Sequence, residues 1–416
     1  MTDYLVRTAR ILARIEQLAA ISEDAEGVTR TFGTPAFVRG RELVQSWFAA
    51  AGLATQVDAI GNLRGRRASA RPAAKTFVLA SHIDTVVNAG KYDGPLGVLL
   101  ALDLAESIIE QGVALPFNLE IIAFSDEEGV RFHTTYLGSK VLTGAFDPAT
   151  LQKTDAHGIT LAQAIADMGG DPRPAALAAA ALPPAEWLGY FELHIEQGPV
   201  LWENRVPIAL VTAVAGQQRV ELTWQGMAGH AGTVPMPLRQ DALAAAAEFV
   251  LAAEAFALAH GQALVATVGQ LRVPNSASNV IPGQVVHSLD LRSPDAGQLA
   301  AAYEALHGQA EAIAARRGVV AQWQLVQHTA PVPCDTGLNQ VLAQAIAASG
   351  HEVVRLVSGA GHDVVPASAV APATMAFIRC YKGISHNPLE NVEAADVAAA
   401  LAVAERFLLE LVKQQS

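Results

Sequence analysis

Cysteine is nearly absent from this chain of 416 residues: only Cys334 and Cys380 occur. Two thiols are too few for a disulfide framework, which excludes a stapled secreted scaffold and leads to the expectation of a cytoplasmic protein with two packed thiols. Basic residues are also scarce, 28 Lys and Arg against 40 Asp and Glu, for a formal net charge of −12 with no local basic run. A nucleic-acid partner, which needs a basic face to release counterions, is therefore not expected. Long apolar runs are missing as well. Residues 98–109 are interrupted by Asp103 and Glu106, and no segment is expected to reach the length of a membrane span. Residues 4–18 read as an amphipathic helix carrying Arg7, Arg10 and Arg14, without the apolar core or cleavage site of a secretory signal. What remains is 51% hydrophobic and 16% charged residues, the composition of a folded soluble protein long enough for two domains.

Up to about residue 212 the chain alternates short apolar runs (77–80, 119–124) with helix-length ones (39–51, 96–111). That alternation predicts an α/β domain with a central, largely parallel sheet flanked by helices. From about residue 213 the rhythm changes to strand (220–225), helix (241–259), two strands (264–273 and 285–292), helix (298–317) and strand (319–327). A βαββαβ order predicts a compact ferredoxin-like domain with two helices on one sheet face. Residues 338–349, 376–380 and 394–412 then return to helix, strand and helix. The reading is one α/β domain of residues 1–212 and 329–416 interrupted by an insertion of residues 213–328.

Chemistry concentrates in five short turn-rich motifs: Ser81-His82-Ile83-Asp84-Thr85, Tyr92-Asp93-Gly94, Asp126-Glu127-Glu128-Gly129, Leu193-His194-Ile195-Glu196-Gln197-Gly198 and Gly383-Ile384-Ser385-His386-Asn387-Pro388. Each histidine alone could be structural. Jointly they matter, because every motif falls at a turn beside a strand, where open α/β sheets place their ligands. His82, Asp93, Glu128, His194 and His386 are too few for two closed metal sites but enough for two adjacent divalent ions sharing one carboxylate. Such a pair suits hydrolysis of a carbonyl compound. His82 and Asp84, two apart on extended backbone, point the same way, so Asp84 can take the proton of the other ring nitrogen. Of the adjacent Glu127 and Glu128, one can ligate while the other accepts a proton from water.

These motifs resemble the di-metal amidohydrolases that include allantoate amidohydrolases, N-carbamoyl-L-amino-acid hydrolases and β-ureidopropionases, relatives of metallo-aminopeptidases and metallo-carboxypeptidases. The resemblance spans essentially the whole chain and rests on Ser125–Phe132 (SDEEGVRF), His194–Val200 (HIEQGPV), Gly229–Met236 (GHAGTVPM) and Gly383–Pro388. It implies a metallo-exopeptidase-like catalytic domain with an inserted dimerisation and lid domain. It implies His82, Asp93, Glu128, His194 and His386 as ligands of two Mn²⁺ or Zn²⁺ ions, Co²⁺ being possible, with Asp93 bridging and Glu127 as general base beside Asp84. His230 would stabilise the oxyanion; Asn279, Arg292, Gln217, Gln197 and Gly361 would contact the substrate. His230 and Asn279 come from the partner subunit in these relatives, so a homodimer is implied. The strings around Asp93, Glu128 and Thr233–Met236 lean toward allantoate, whereas Val364-Val365 and Tyr381-Lys382 depart from that subgroup's wording. N-carbamoyl amino acids, N-carbamoyl-β-alanine, a peptidase activity and an inactive metal-binding scaffold are the alternatives.

Overall fold

The computed structural model describes residues 4–416. The chain forms two compact units: one holds the chain up to Thr212 with Cys334–Leu356 and Gly361–Ser416, the other Ala213–Pro333 with Val357–Ala360. The boundary expected at residue 328 lies five residues later. The last strand of the insertion, Val320–Thr329, runs on until Thr329 pairs with Gln217, and Pro333 pairs with Ala213. Residues 357–360 join the second unit too, where the Ser358 carbonyl accepts the Ala215 N–H at 2.8 Å.

The first unit is an α/β structure whose four central strands, Asn118–Phe124, Thr76–His82, Trp187–Ile195 and Ala373–Ile378, run parallel side by side. Their apolar sequences (NLEIIAF, TFVLASH, ATMAFI) are buried at every position in three of the four, as a sheet covered on both faces requires. Antiparallel strands flank this centre: Leu63–Arg67 with Ala54–Val57 on one side and Ile208–Val214 on the other. Only five residues separate Val57 from Leu63, and so short a link can join only antiparallel neighbours. Register aligns the carboxyl ends, His82 standing opposite Phe124 and Phe377 opposite His194. The helix Pro95–Glu110 crosses behind them, and Gly97 lets it close in: a Cβ there would lie 2.1 Å from the Leu193 carbonyl.

The second unit is antiparallel throughout. Its sheet runs, in spatial order, Leu271–Arg272, Gln284–Ser293, Gly216–Gln225, Val320–Thr329, with Val265–Thr267 also on Gln284–Ser293. The strand expected over 264–273 is thus broken in two, and at the break the Gln270 N–H turns to the Ser288 side chain (3.1 Å). Val220, Leu222, Trp224, Val285, Leu289 and Leu291 form one buried face with the helices Ala242–Ala259 and Ala296–Arg317, and polar residues alternate on the other. Contrary to expectation, Ala242–Ala259 is long and apolar enough to span a membrane. Its alanines supply hydropathy without bulk, and it packs Ala242, Ala245, Ala246, Phe249 and Ala253 into this core.

Three helices of the first unit are joined by charge. From Tyr4–Ala19, Arg7 reaches Asp103 and Glu405, Arg10 reaches Asp103, and Arg14 reaches Glu106, at 2.6–2.7 Å. Asp103 is fully buried, so its removal leaves guanidinium groups short of their counter-charge. Asp103→Ala should lower the stability of this unit by about 3 kcal/mol, seen as an earlier urea midpoint; an unchanged midpoint would show the network to be energetically neutral.

Candidate metal centre

The parallel register delivers His82 and His194 to the same place. The His82 Nδ1 faces the Asp84 carbonyl (3.1 Å) and carboxylate (3.3 Å), and the His194 Nδ1 faces the Ile195 carbonyl (2.9 Å). Acceptors at both Nδ1 atoms put the protons there and leave the Nε2 lone pairs turned inward. Those two nitrogens lie 3.4 Å apart, and the Asp93 Oδ1 lies 3.0 Å from His194 and 3.6 Å from His82. Three acceptor atoms so close together demand positive charge between them. Their spacing matches the edge of a coordination tetrahedron with bonds of ~2.0–2.1 Å, about 3.3 Å. The Asp93 Oδ1 is moreover buried without a hydrogen-bond donor. Burial works against charge on His82, yet Asp84 and Asp93 drive its pKa well above the ordinary imidazole value. The Asp93 carboxyl is held well below its ordinary range despite burial, chiefly by His194.

The other oxygen of Asp93 serves a second group. The His386 Nε2 lies 3.3 Å from Asp93 Oδ2 and 3.3 Å from Glu128 Oε1. His82, Asp93 and His194 could thus hold one metal ion, and Asp93, Glu128 and His386 another. The five expected ligands meet in one place. The first group is sealed, whereas the His386 side chain is 45% exposed, so the second group is the one that opens to solvent. Both His386 (φ +55°) and Gln197 (φ +57°) hold left-handed backbone, a strain that non-glycine residues keep where surroundings impose it. The Gln197 amide, an expected substrate contact, stands beside this group and donates to Asp93 Oδ2 (2.7 Å), joined there by the Ser385 hydroxyl (2.5 Å).

Glu127 is buried and shares a third cluster with His82 and Glu128. Burial, reinforced by Glu128, Asp363 and Asp84 against the pull of His82, pushes its pKa well above the ordinary carboxyl value, which favours proton acceptance over permanent charge. Asp84 has a role that spacing did not reveal: its two oxygens accept the Glu127 and Glu128 backbone N–H groups at 3.0 and 3.2 Å. Glu390 was missed altogether. It accepts the backbone N–H groups of Tyr92 (2.7 Å) and Asp93 (3.1 Å), tying the Asp93 turn to the segment that carries His386. Only its position four residues past His386 could have drawn attention to it. Gly361 lies against the Tyr136 hydroxyl, where a Cβ would have no room. His362 packs its ring 4.4 Å from that of His194.

The remaining candidates belong to the second unit and fall into two pairs. His230 and Val280 face each other in a two-residue ribbon beside Asn279, whose carbonyl accepts the Ala231 N–H (2.9 Å). The His230 Nδ1 accepts the Gly232 N–H (3.0 Å), which leaves the ring proton on Nε2. His230 and Asn279 are both exposed. Gln217 and Arg292 stand directly opposite on adjacent strands.

Residues 78–410 match the family described as Peptidase family M20/M25/M40. An N-carbamoyl-L-amino acid amidohydrolase of Geobacillus stearothermophilus is 38% identical over 96% of this chain and 97% of its own length. Allantoate deiminase 1 of Glycine max is 37% identical over 94% of this chain and 86% of its own. The crystal structure of an amidase of the hydantoinase/carbamoylase family from Burkholderia multivorans superposes with a TM-score of 0.90 at 33% identity, covering 97% of each chain.

Because Asp93 belongs to both three-residue groups, Asp93→Ala should remove more bound divalent metal per chain than His194→Ala or His386→Ala. Elemental analysis after dialysis against zinc or manganese reads this directly, and equal losses in all three variants would contradict a shared carboxylate.

Proposed function

The chain belongs to peptidase family M20/M25/M40 and is a hydrolase of C–N bonds of the amide or ureido type, and on that premise we propose that it hydrolyses allantoate. One ureido group would react with one water to leave an amine, ammonia and carbon dioxide. The observation that carries this reading is the division of Asp93 between two ligand groups beside the buried Glu127. A ureido carbonyl is a poor electrophile because both nitrogens donate into it, so it needs strong polarisation.

His82, Asp93 and His194 would hold one divalent ion and Asp93, Glu128 and His386 a second, zinc or manganese by ligand type, with cobalt chemically admissible. Ions bound there would supply polarisation of the carbonyl and acidification of water. Glu127 takes the proton of the attacking water and returns it to the leaving nitrogen, held in place through the grip of Asp84 on its backbone N–H. His230, with its proton on Nε2, donates to the developing oxyanion. Arg292, assisted by Gln217 and Asn279, takes the substrate carboxylate. A homodimer, with His230 and Asn279 supplied by the partner subunit, completes this reading. It rests on the motif resemblance.

A second reading, hydrolysis of N-carbamoyl-L-amino acids, is favoured by equal similarity to an enzyme of that name, and both substrate classes carry a carboxylate near the scissile carbon. Ammonia release from allantoate, N-carbamoyl-β-alanine and several N-carbamoyl amino acids, with each metal restored to stripped protein, decides between them. Allantoate should be turned over fastest; fast carbamoyl amino acid hydrolysis without allantoate turnover would establish the second reading. Glu127→Gln should keep its metal and lose about 10²-fold or more in kcat. Full activity in that variant would remove Glu127 as the base.

A further inference from the structure

Arg292 does not stand alone on the open face of its sheet. Its Nε and Nη2 donate to the two oxygens of Asp290 at 2.9 and 3.1 Å, and its Nη1 donates to the Gly359 carbonyl at 2.5 Å. Asp290 also accepts from the Gln217 amide (2.7 Å) and from Arg219 Nε (3.1 Å). Strand register makes this cluster. Arg292 pairs with Gln217 and Asp290 with Arg219, and side chains two apart on a strand share a face. A guanidinium has five N–H donors in a rigid plane. Three are engaged here, which leaves one N–H on each terminal nitrogen, charged donors of the kind a carboxylate accepts. Arg219, Asp290 and Arg292 line a surface cavity of about 700 Å³, which gives a small acid room beside the guanidinium.

We propose that Asp290 is the positioning residue for substrate specificity: it fixes the Arg292 plane and the Gln217 amide so that the remaining N–H groups of the guanidinium face the substrate carboxylate. The proposal rests on the reading of Arg292 as the carboxylate clamp. Two effects of Asp290 oppose each other, and that makes the idea decidable. By Coulomb attraction alone, removing this anion would strengthen the pull of Arg292 on an acid and lower KM. If Asp290 acts by orientation, its loss frees a side chain rich in rotamers and raises KM.

The test compares a ureido acid that the enzyme hydrolyses with the carboxamide of the same compound. Arg292→Ala should raise KM for the acid far more than for the amide; equal effects on the two would refute the clamp itself, separately from Asp290. Asp290→Asn should raise KM for the acid about tenfold, within the value of one charged hydrogen bond. The amide should be far less affected, and the change should fall in KM rather than kcat. In the Asp290→Asn/Arg292→Ala double variant the Asp290 effect should vanish, as expected of residues acting through one another. Asp290→Glu keeps the charge but displaces it, and should give an intermediate KM; it decides the matter if the asparagine variant folds poorly, which thermal unfolding and metal content would reveal. An unchanged or lowered KM in Asp290→Asn, or an Asp290 effect that persists without Arg292, would overturn the proposal.

Discussion

Asp93 must present its two oxygens in opposite directions, one to His82 and His194 and the other to Glu128 and His386. A carboxylate on a flexible turn would collapse onto one side. Here the turn is clamped. Glu390 holds the N–H groups of residues 92 and 93, and Ser385 and Gln197 hold the oxygen facing His386. Gly94, at φ +80°, allows the backbone to pass beneath the His82 ring, where a Cβ would lie 2.5 Å from the imidazole. Each of these contacts acts on the direction of one side chain.

Charge explains why the arrangement needs cations. Asp84, Asp93, Asp126, Glu127, Glu192 and Asp363 are all buried in this unit. Asp126, Glu127, Glu192 and Asp363 are each pushed upward in pKa, burial being the first cause in every case. Arg30, itself fully buried, bonds to the carbonyls of Leu18 and Ile83 rather than to a carboxylate. Without a divalent ion the balance must be met by protons shared among acids and imidazoles. Such a stack of acids serves binding of positive charge and contributes little to stability.

How much of this was legible beforehand follows from which features are local. His82, Glu128 and His194 announce themselves because each closes or follows an apolar run that could only be a buried strand. That these three would be brought near one another was readable for the same reason, and the structure does gather them with Asp93 and His386. The contacts themselves were not. That His194 meets His82 depends on the parallel pairing of Thr76–His82 with Trp187–Ile195, a register that nothing within either segment specifies. Asp84 looked like a partner for one imidazole, and its hold on two backbone N–H groups 43 and 44 residues away is a tertiary fact. Glu390 resembled any acid after a turn. In the second unit, alternation gave helices and strands correctly. The break near Gly269 escaped notice because residues 264–273 are apolar enough to read as one strand.

The two halves of the candidate chemistry are built on different principles. Of the candidate metal ligands, His82, Glu128 and His194 sit at or just beyond the ends of buried parallel strands, where backbone position is fixed on both sheet faces, while Asp93 and His386 are held by turns clamped against them. The candidate substrate contacts in the second unit come from the open face of an antiparallel sheet and from a separate short ribbon, where side chains are half-exposed or exposed and must orient one another. Precision there has to be supplied by local pairs: Gly232 sets the His230 tautomer, and Asp290 sets Arg292 and Gln217. Such pairs can be altered one residue at a time without disturbing the buried core. Enzymes sharing a ligand set can therefore diverge in which carboxylate they accept while the hydrolytic centre stays the same.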